Sequence, residues 1–132
     1  MWNEVAMVKS AGKLKNRLEE LREASQLACE RIIKKRSDIV AVYVVGSVAR
    51  GNVHWESDID MVCLIKQGGV SERERIKVLD CSADVFYVPI KLWKEEFDGR
   101  SGSDWEIEAS SVVDSLVLHD PNGFIRKAKE GL

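Results

Sequence analysis

The chain has 132 residues, 45% of them apolar and 32% charged, the size and mix of one globular domain rather than of a disordered or fibrous segment. Its 20 basic and 22 acidic residues leave a formal charge of -2, so wholesale binding to a phosphate backbone is disfavoured and nucleic acid is not the expected partner. The three cysteines, Cys29, Cys63 and Cys81, lack the close pairs of a zinc site. With no cleavable leader pattern and no apolar run long enough to span a bilayer, reduced, buried thiols and a cytoplasmic location are expected.

Lys13 to Arg36 reads as a long amphipathic helix. Leu14, Leu18, Leu21, Ala28 and Ile32 recur at helical spacing, while Glu19, Glu20, Arg22, Glu23 and Arg31 occupy the other faces. Gly12 is expected to interrupt any extension toward Trp2. Ile39 to Val45 is an unbroken β-branched and aromatic run, a strand covered on both faces, and Gly46-Ser47 breaks it abruptly. A glycine-containing loop, opening with a turn of helix, spans Val48 to Ser57, and Asp58 to Ile65 is the next strand. After the Gly68-Gly69 loop, Ser71-Glu72-Arg73-Glu74 has capping-box spacing and predicts a helix to about Leu79, with a turn at Asp80 to Ala83.

Asp84 to Val88 is a third strand, ended by Pro89, and Ile90 to Phe97 is a short helix. Asp98 to Ser103 is loop-like, and Ser103 with Glu106 repeats the capping-box signature ahead of a helix over Asp104 to Val112. Leu116 to His119 is a short strand, after which Asp120-Pro121 reads as an N-cap with proline at the first helical position of a last helix to about Lys129. Helices and strands alternate without repeats or linkers, so the expected class is α/β (α+β), with helices packed on a small mixed sheet. One domain over 1–132 is expected, a helical segment 1–36 followed by an α/β core 37–132.

Three features carry chemistry. Asp58 and Asp60, two apart on a strand, point to the same face roughly 6.5–7 Å apart at Cα. Like charges so placed repel, and a hard divalent cation such as magnesium relieves the penalty while keeping positions for water and phosphate oxygens. Taken alone, the pair reads better as an exposed strand end with two solvated acids. Gly46-Ser47 directly follows a hydrophobic strand, where glycine permits close backbone approach and the N–H groups and hydroxyl can hold phosphate oxygens, with Arg50 near enough to add a guanidinium. Asp84 heads an otherwise apolar strand, and three carboxylates converge if its strand lies beside that of Asp58. Asp80 is a rival, but its position before the strand marks a turn residue.

Gly46-Ser47-Val48-Ala49-Arg50-Gly51 followed, ten residues beyond Ser47, by Asp58-Ile59-Asp60 resembles the signature of the DNA polymerase β-like nucleotidyltransferase superfamily. The spacing is similar to that of its minimal nucleotidyltransferase (MNT) proteins. The resemblance runs from the first strand to the Asp84 strand, and more weakly to Leu116–Asp120. It implies that Asp58, Asp60 and Asp84 are catalytic and bind Mg2+, that Gly46 and Ser47 hold nucleotide phosphates, and that ATP or another nucleoside triphosphate donates a monophosphate to an acceptor hydroxyl.

No acceptor-binding equipment stands out. His54 and Trp55 read as a variable loop, Lys66 and Arg73 as solvated charge, Trp93 and Phe97 as core or interface, and Trp2 and Trp105 as exposed aromatics. For the minimal group the resemblance implies a small helical HEPN-type partner encoded alongside, with the nucleotidyltransferase acting as antitoxin by adenylylating a toxin tyrosine. Two other readings stay open: transfer to a small molecule such as an aminoglycoside, and a non-catalytic module that neutralises its partner by contact.

Overall fold

The computed structural model describes residues 4–97 and 112–131. In chain order the elements are α1 (Glu4–Lys35), β1 (Ile39–Val45), α2 (Gly46–Arg50), β2 (Ile59–Ile65), β3 (Glu72–Val78), β4 (Cys81–Pro89), α3 (Ile90–Phe97), β5 (Leu116–His119) and α4 (Phe124–Glu130). The strands form one mixed sheet in the order β3-β4-β2-β1-β5. β2 and β4 run parallel, and every other neighbouring pair is antiparallel. No helix among the described residues is long and apolar enough to cross a membrane.

Alternation along the strands divides the core in two. Val42, Val44, Ile59, Met61, Cys63, Ala83 and Val85 face α1, where Leu21, Ala24, Ala28 and Ile32 pack on them. Ala41, Tyr43 and Leu64 point to the opposite face, under Trp93 of α3 and Ile125 of α4. Trp93 therefore belongs to the core, its Nε1 donating to the Tyr43 hydroxyl at 3.1 Å. Because both faces are covered, β1 has no polar alternation, as its continuous apolar run predicts.

Three sequence expectations give way. The helix does not stop at Gly12: α1 runs from Glu4, since one glycine costs about 1 kcal/mol in a helix interior, too little to break a long helix docked along the sheet. Residues 72–78 form edge strand β3, not a helix. The capping-box spacing is a local preference, and pairing of seven residues with β4, from Glu72↔Tyr87 to Val78↔Cys81, overrides it. As a strand the segment turns Val78 and Ile76 toward the α1 core, and a two-residue turn at Leu79-Asp80 replaces the longer turn expected to reach Ala83. β4 accordingly starts at Cys81, so Asp84 is its fourth residue rather than its first.

The last helix also opens three residues later than Asp120-Pro121 implies, with Gly123 at its N-cap. Asp120 still serves that helix from across the turn: its carboxylate accepts the Ile125 N–H at 3.3 Å and the Arg126 N–H at 3.0 Å. The remaining strands and α3 fall where the sequence places them. The loop and most of the helix expected over 98–112, with Trp105, and Trp2 at the amino end lie outside the described residues.

Candidate functional site

β1 ends at Val45, whose register partner on β2 is Asp60, and Asp60 is in turn the register partner of Asp84 on β4. Two carboxylates thus sit side by side on adjacent parallel strands, about 4.8 Å apart in the hydrogen-bonding direction. Asp58 lies two residues before Asp60, immediately ahead of β2. The preceding loop is pinned by Ser57, whose buried hydroxyl accepts the His54 N–H at 2.9 Å, while the Ser57 N–H donates to the His54 carbonyl at 3.1 Å. Trp55 of that loop is exposed.

Gly46 completes the corner. It begins α2 with φ +75°, and a Cβ there would come within 3.0 Å of Asp60 Oδ2. Glycine is required on two counts: the left-handed backbone and the approach to the carboxylate. The first turn of α2 carries no side-chain cap, and Ser47 follows Gly46 directly. The Ser47 carbonyl closes the other end by accepting the N–H groups of Gly51 at 2.8 Å and Asn52 at 3.1 Å. Arg50 is exposed at the last residue of α2, one helical turn from Gly46, and the ion pairs on the acids come from other arginines.

The acids differ in environment. Asp84 is buried, its side chain 12% exposed, whereas the Asp58 side chain is 41% exposed on the rim. Burial raises the Asp60 carboxyl above its ordinary range, and the negative charges of Asp84 and Asp58 push it the same way, against a smaller opposing pull from Arg73. Two arginines of β3 answer this charge. Arg75 Nη1 donates to both oxygens of Asp84, at 3.1 and 3.3 Å, and its Nη2 to Asp58 Oδ2 at 3.2 Å. Arg73 pairs with Asp84 at 3.4 Å and lies over the Phe86 ring. These hydrogen bonds, first to Asp58 and then to Asp84, hold the Arg75 guanidinium above its already high ordinary value.

Oxygen donors drawn from two neighbouring strands, with like charges that need neutralising, suit a hard divalent cation. The cluster is not a finished metal cage: among the described residues no three His, Cys, Asp or Glu side chains stand arranged to hold an ion. The cysteines take no part. All three are free and buried, and burial pushes Cys29 up to about 11 and Cys63 up to about 12, far from a reactive thiolate.

Of the residues expected from the sequence, Asp58, Asp60, Asp84 and Gly46 meet at one corner of the sheet, with Ser47 next in chain. Nothing in the sequence singles out Arg75, and Arg73 reads by default as solvated surface charge; in the helix expected there, residues two apart would point to different sides. Once 72–78 is a strand, both point at the acids; their spacing of two was the available signal. Arg22 is exposed, as its place away from the apolar face of α1 predicts, and its guanidinium donates to the Val48 carbonyl at 3.2 and 3.3 Å and to the Ala49 carbonyl at 3.2 Å. It ties the long helix to α2, and nothing local in the sequence foretells that contact.

Among solved structures the chain is similar to a nucleotidyltransferase-like protein from Exiguobacterium sibiricum, at TM-score 0.61 and 7% identity, over 83% of this chain. It spans only 37% of that protein's length, so the likeness is one of fold. No curated protein matches the chain. The sequence model of the nucleotidyltransferase domain matches residues 28–121, from the second half of α1 through the Asp58, Asp60 and Asp84 cluster to the end of β5. With that match covering most of the chain and the motif glycine set against the carboxylates, the chain belongs to the nucleotidyltransferase domain family.

Proposed function

We propose that this nucleotidyltransferase moves AMP from ATP to a hydroxyl group of a partner protein, and that the partner is a small helical HEPN-type toxin for which the chain is the cytoplasmic antitoxin. Family membership supports nucleotidyl transfer and a nucleoside triphosphate substrate. The observation that carries the site is the register of Asp60 with Asp84, flanked by Asp58 and closed by Gly46. Asp58, Asp60 and Asp84 would hold Mg2+, which when bound neutralises the carboxylates and polarises phosphate oxygens. Gly46, Ser47 and Arg50 take the phosphates. The acceptor oxygen attacks the α-phosphorus, the bond to the pyrophosphate oxygen breaks, and the hydroxyl proton passes to Asp84. The chain's own contribution is positioning and charge complementarity.

A protein acceptor is supported by the openness of the rim, where Asp58 is 41% exposed and Arg75 55%. A hydroxyl on a protein surface can approach such a rim without an enclosing pocket. The motif spacing of the minimal nucleotidyltransferases supports the antitoxin role. The test is to incubate the protein with Mg2+, labelled ATP and the helical protein encoded beside it, comparing wild type with Asp60→Asn. Label on the partner with wild type alone is expected. Equal neutralisation by both proteins without label would replace the reading with simple binding, and transfer to aminoglycosides in the absence of a partner would replace it with small-molecule modification.

A further inference from the structure

β3 is an edge strand, yet it bears on the acid cluster more directly than the motif loop does. Arg75 is the register partner of Asp84. Its guanidinium forks across the corner, one nitrogen on Asp84 and the other on Asp58. The fork covers oxygens on two of the three carboxylates that a divalent cation would need. The guanidinium already neutralises Asp58 and Asp84, and a divalent cation on the same oxygens would meet its positive charge at close range, so the two compete for the site. The Arg75 side chain is 55% exposed, so solvent can receive it when it leaves. Arg73 is less committed: it reaches a single Asp84 oxygen at 3.4 Å and rests on Phe86.

We propose that Arg75 is the resident counter-cation of the acid cluster, a positioning residue that holds Asp58 and Asp84 together in the metal-free protein and must release both before a divalent cation binds. This inference rests on the nucleotidyltransferase reading of the cluster. It makes the metal site conditional, because cation affinity is lowered by the fork until the arginine withdraws. A planar fork is suited to bridging two carboxylates, and a lysine at the same place would touch them one at a time.

The test is nucleotide-free Mn2+ binding, followed by electron paramagnetic resonance, to wild type, Arg75→Gln, Arg75→Lys, Arg73→Gln and Asp60→Asn. Arg75→Gln is expected to bind Mn2+ about tenfold more tightly: hydrogen bonds to two carboxylates no longer have to be broken, and solvent around the 55% exposed guanidinium discounts their sum to roughly that of one charge-assisted bond. Arg75→Lys should fall between it and wild type, and Arg73→Gln should change affinity less. Thermal melts provide the structural control: without metal Arg75→Gln should melt below wild type, and Mn2+ should raise its midpoint by more. If Mn2+ binds wild type in an Asp60-dependent manner and Arg75→Gln binds no tighter, the Arg75 inference is wrong while the site stands. If no protein shows binding that depends on Asp60, the metal-site reading itself falls and takes the inference with it.

Discussion

Replacing Gly46 by alanine sets two separable costs against each other. Gly46 has φ +75°, and its near neighbour Gly51 is also left-handed at +85°. Placing an L-residue in this left-handed region costs roughly 1–2 kcal/mol at either position. What a new methyl group would meet differs. At Gly51 it finds Arg22 and Leu18 side-chain atoms at 3.7 Å, ordinary van der Waals contact. At Gly46 it finds Asp60 Oδ2 at 3.0 Å, tighter than nearly all real Cβ contacts, so the neighbour must give. That oxygen is the end of a side chain and can move, so the clash is relieved by displacing the carboxylate rather than by unfolding. Gly46→Ala and Gly51→Ala should therefore lose similar stability, a fall of roughly 3–10 °C in Tm. They should differ in nucleotidyl transfer: misplacing a reacting group by about 1 Å costs on the order of 100-fold, and the few tenths of an ångström by which Asp60 must give costs a fraction of that, on the order of several-fold. Melting curves followed by pyrophosphate release under saturating ATP and Mg2+, with the helical partner protein present as acceptor, separate the two effects. A Gly51→Ala protein as impaired in turnover as Gly46→Ala, or a Gly46→Ala protein with full turnover, would refute the reasoning.

Arg22→Met keeps the aliphatic stem but removes the hydrogen bonds to the Val48 and Ala49 carbonyls, and should cost about 1–3 kcal/mol. Amide exchange over 46–51 should quicken, and unchanged exchange there would mean that α2 does not depend on α1. Asp60→Asn should raise the melting temperature of the metal-free protein at neutral pH by a few degrees, although it abolishes transfer. The sign follows from the direction of the shift. Burial and the neighbouring acids raise the Asp60 carboxyl in the native state, so the native protein binds this proton more readily than the unfolded chain. Stability then falls as pH rises from the ordinary carboxylate value through the raised one, and above that window the charge is a standing cost that asparagine removes. The advantage of Asp60→Asn should shrink as pH drops toward the ordinary value, and a midpoint below wild type at pH 7 would contradict it.

Most of the candidate site is legible in the sequence, because its parts are local. Gly46-Ser47 after an apolar strand and Asp58-Ile59-Asp60 at the head of another declare a turn and a pair of carboxylates from residue type and spacing alone. Hydrophobic runs likewise mark β1, β2 and β4, since strands covered on both faces must be apolar throughout. Legibility ends where elements meet. Ser71 and Glu74 satisfy a helix-opening pattern, and only the presence of β4 as a pairing partner makes 72–78 a strand. That one misreading hides Arg75, since the side chain's direction follows from the period of the backbone that carries it.

What short stretches of chain encode is the long first helix, the apolar strands, the motif glycine and the three candidate acids. Only the tertiary structure decided that β4 lies parallel to β2 with Asp84 opposite Asp60, that Arg22 steadies α2, and that Arg75 bridges Asp58 and Asp84. Register and strand order arise from the packing of the whole sheet, so no local spacing encodes them. The charge balance of the corner follows from that register.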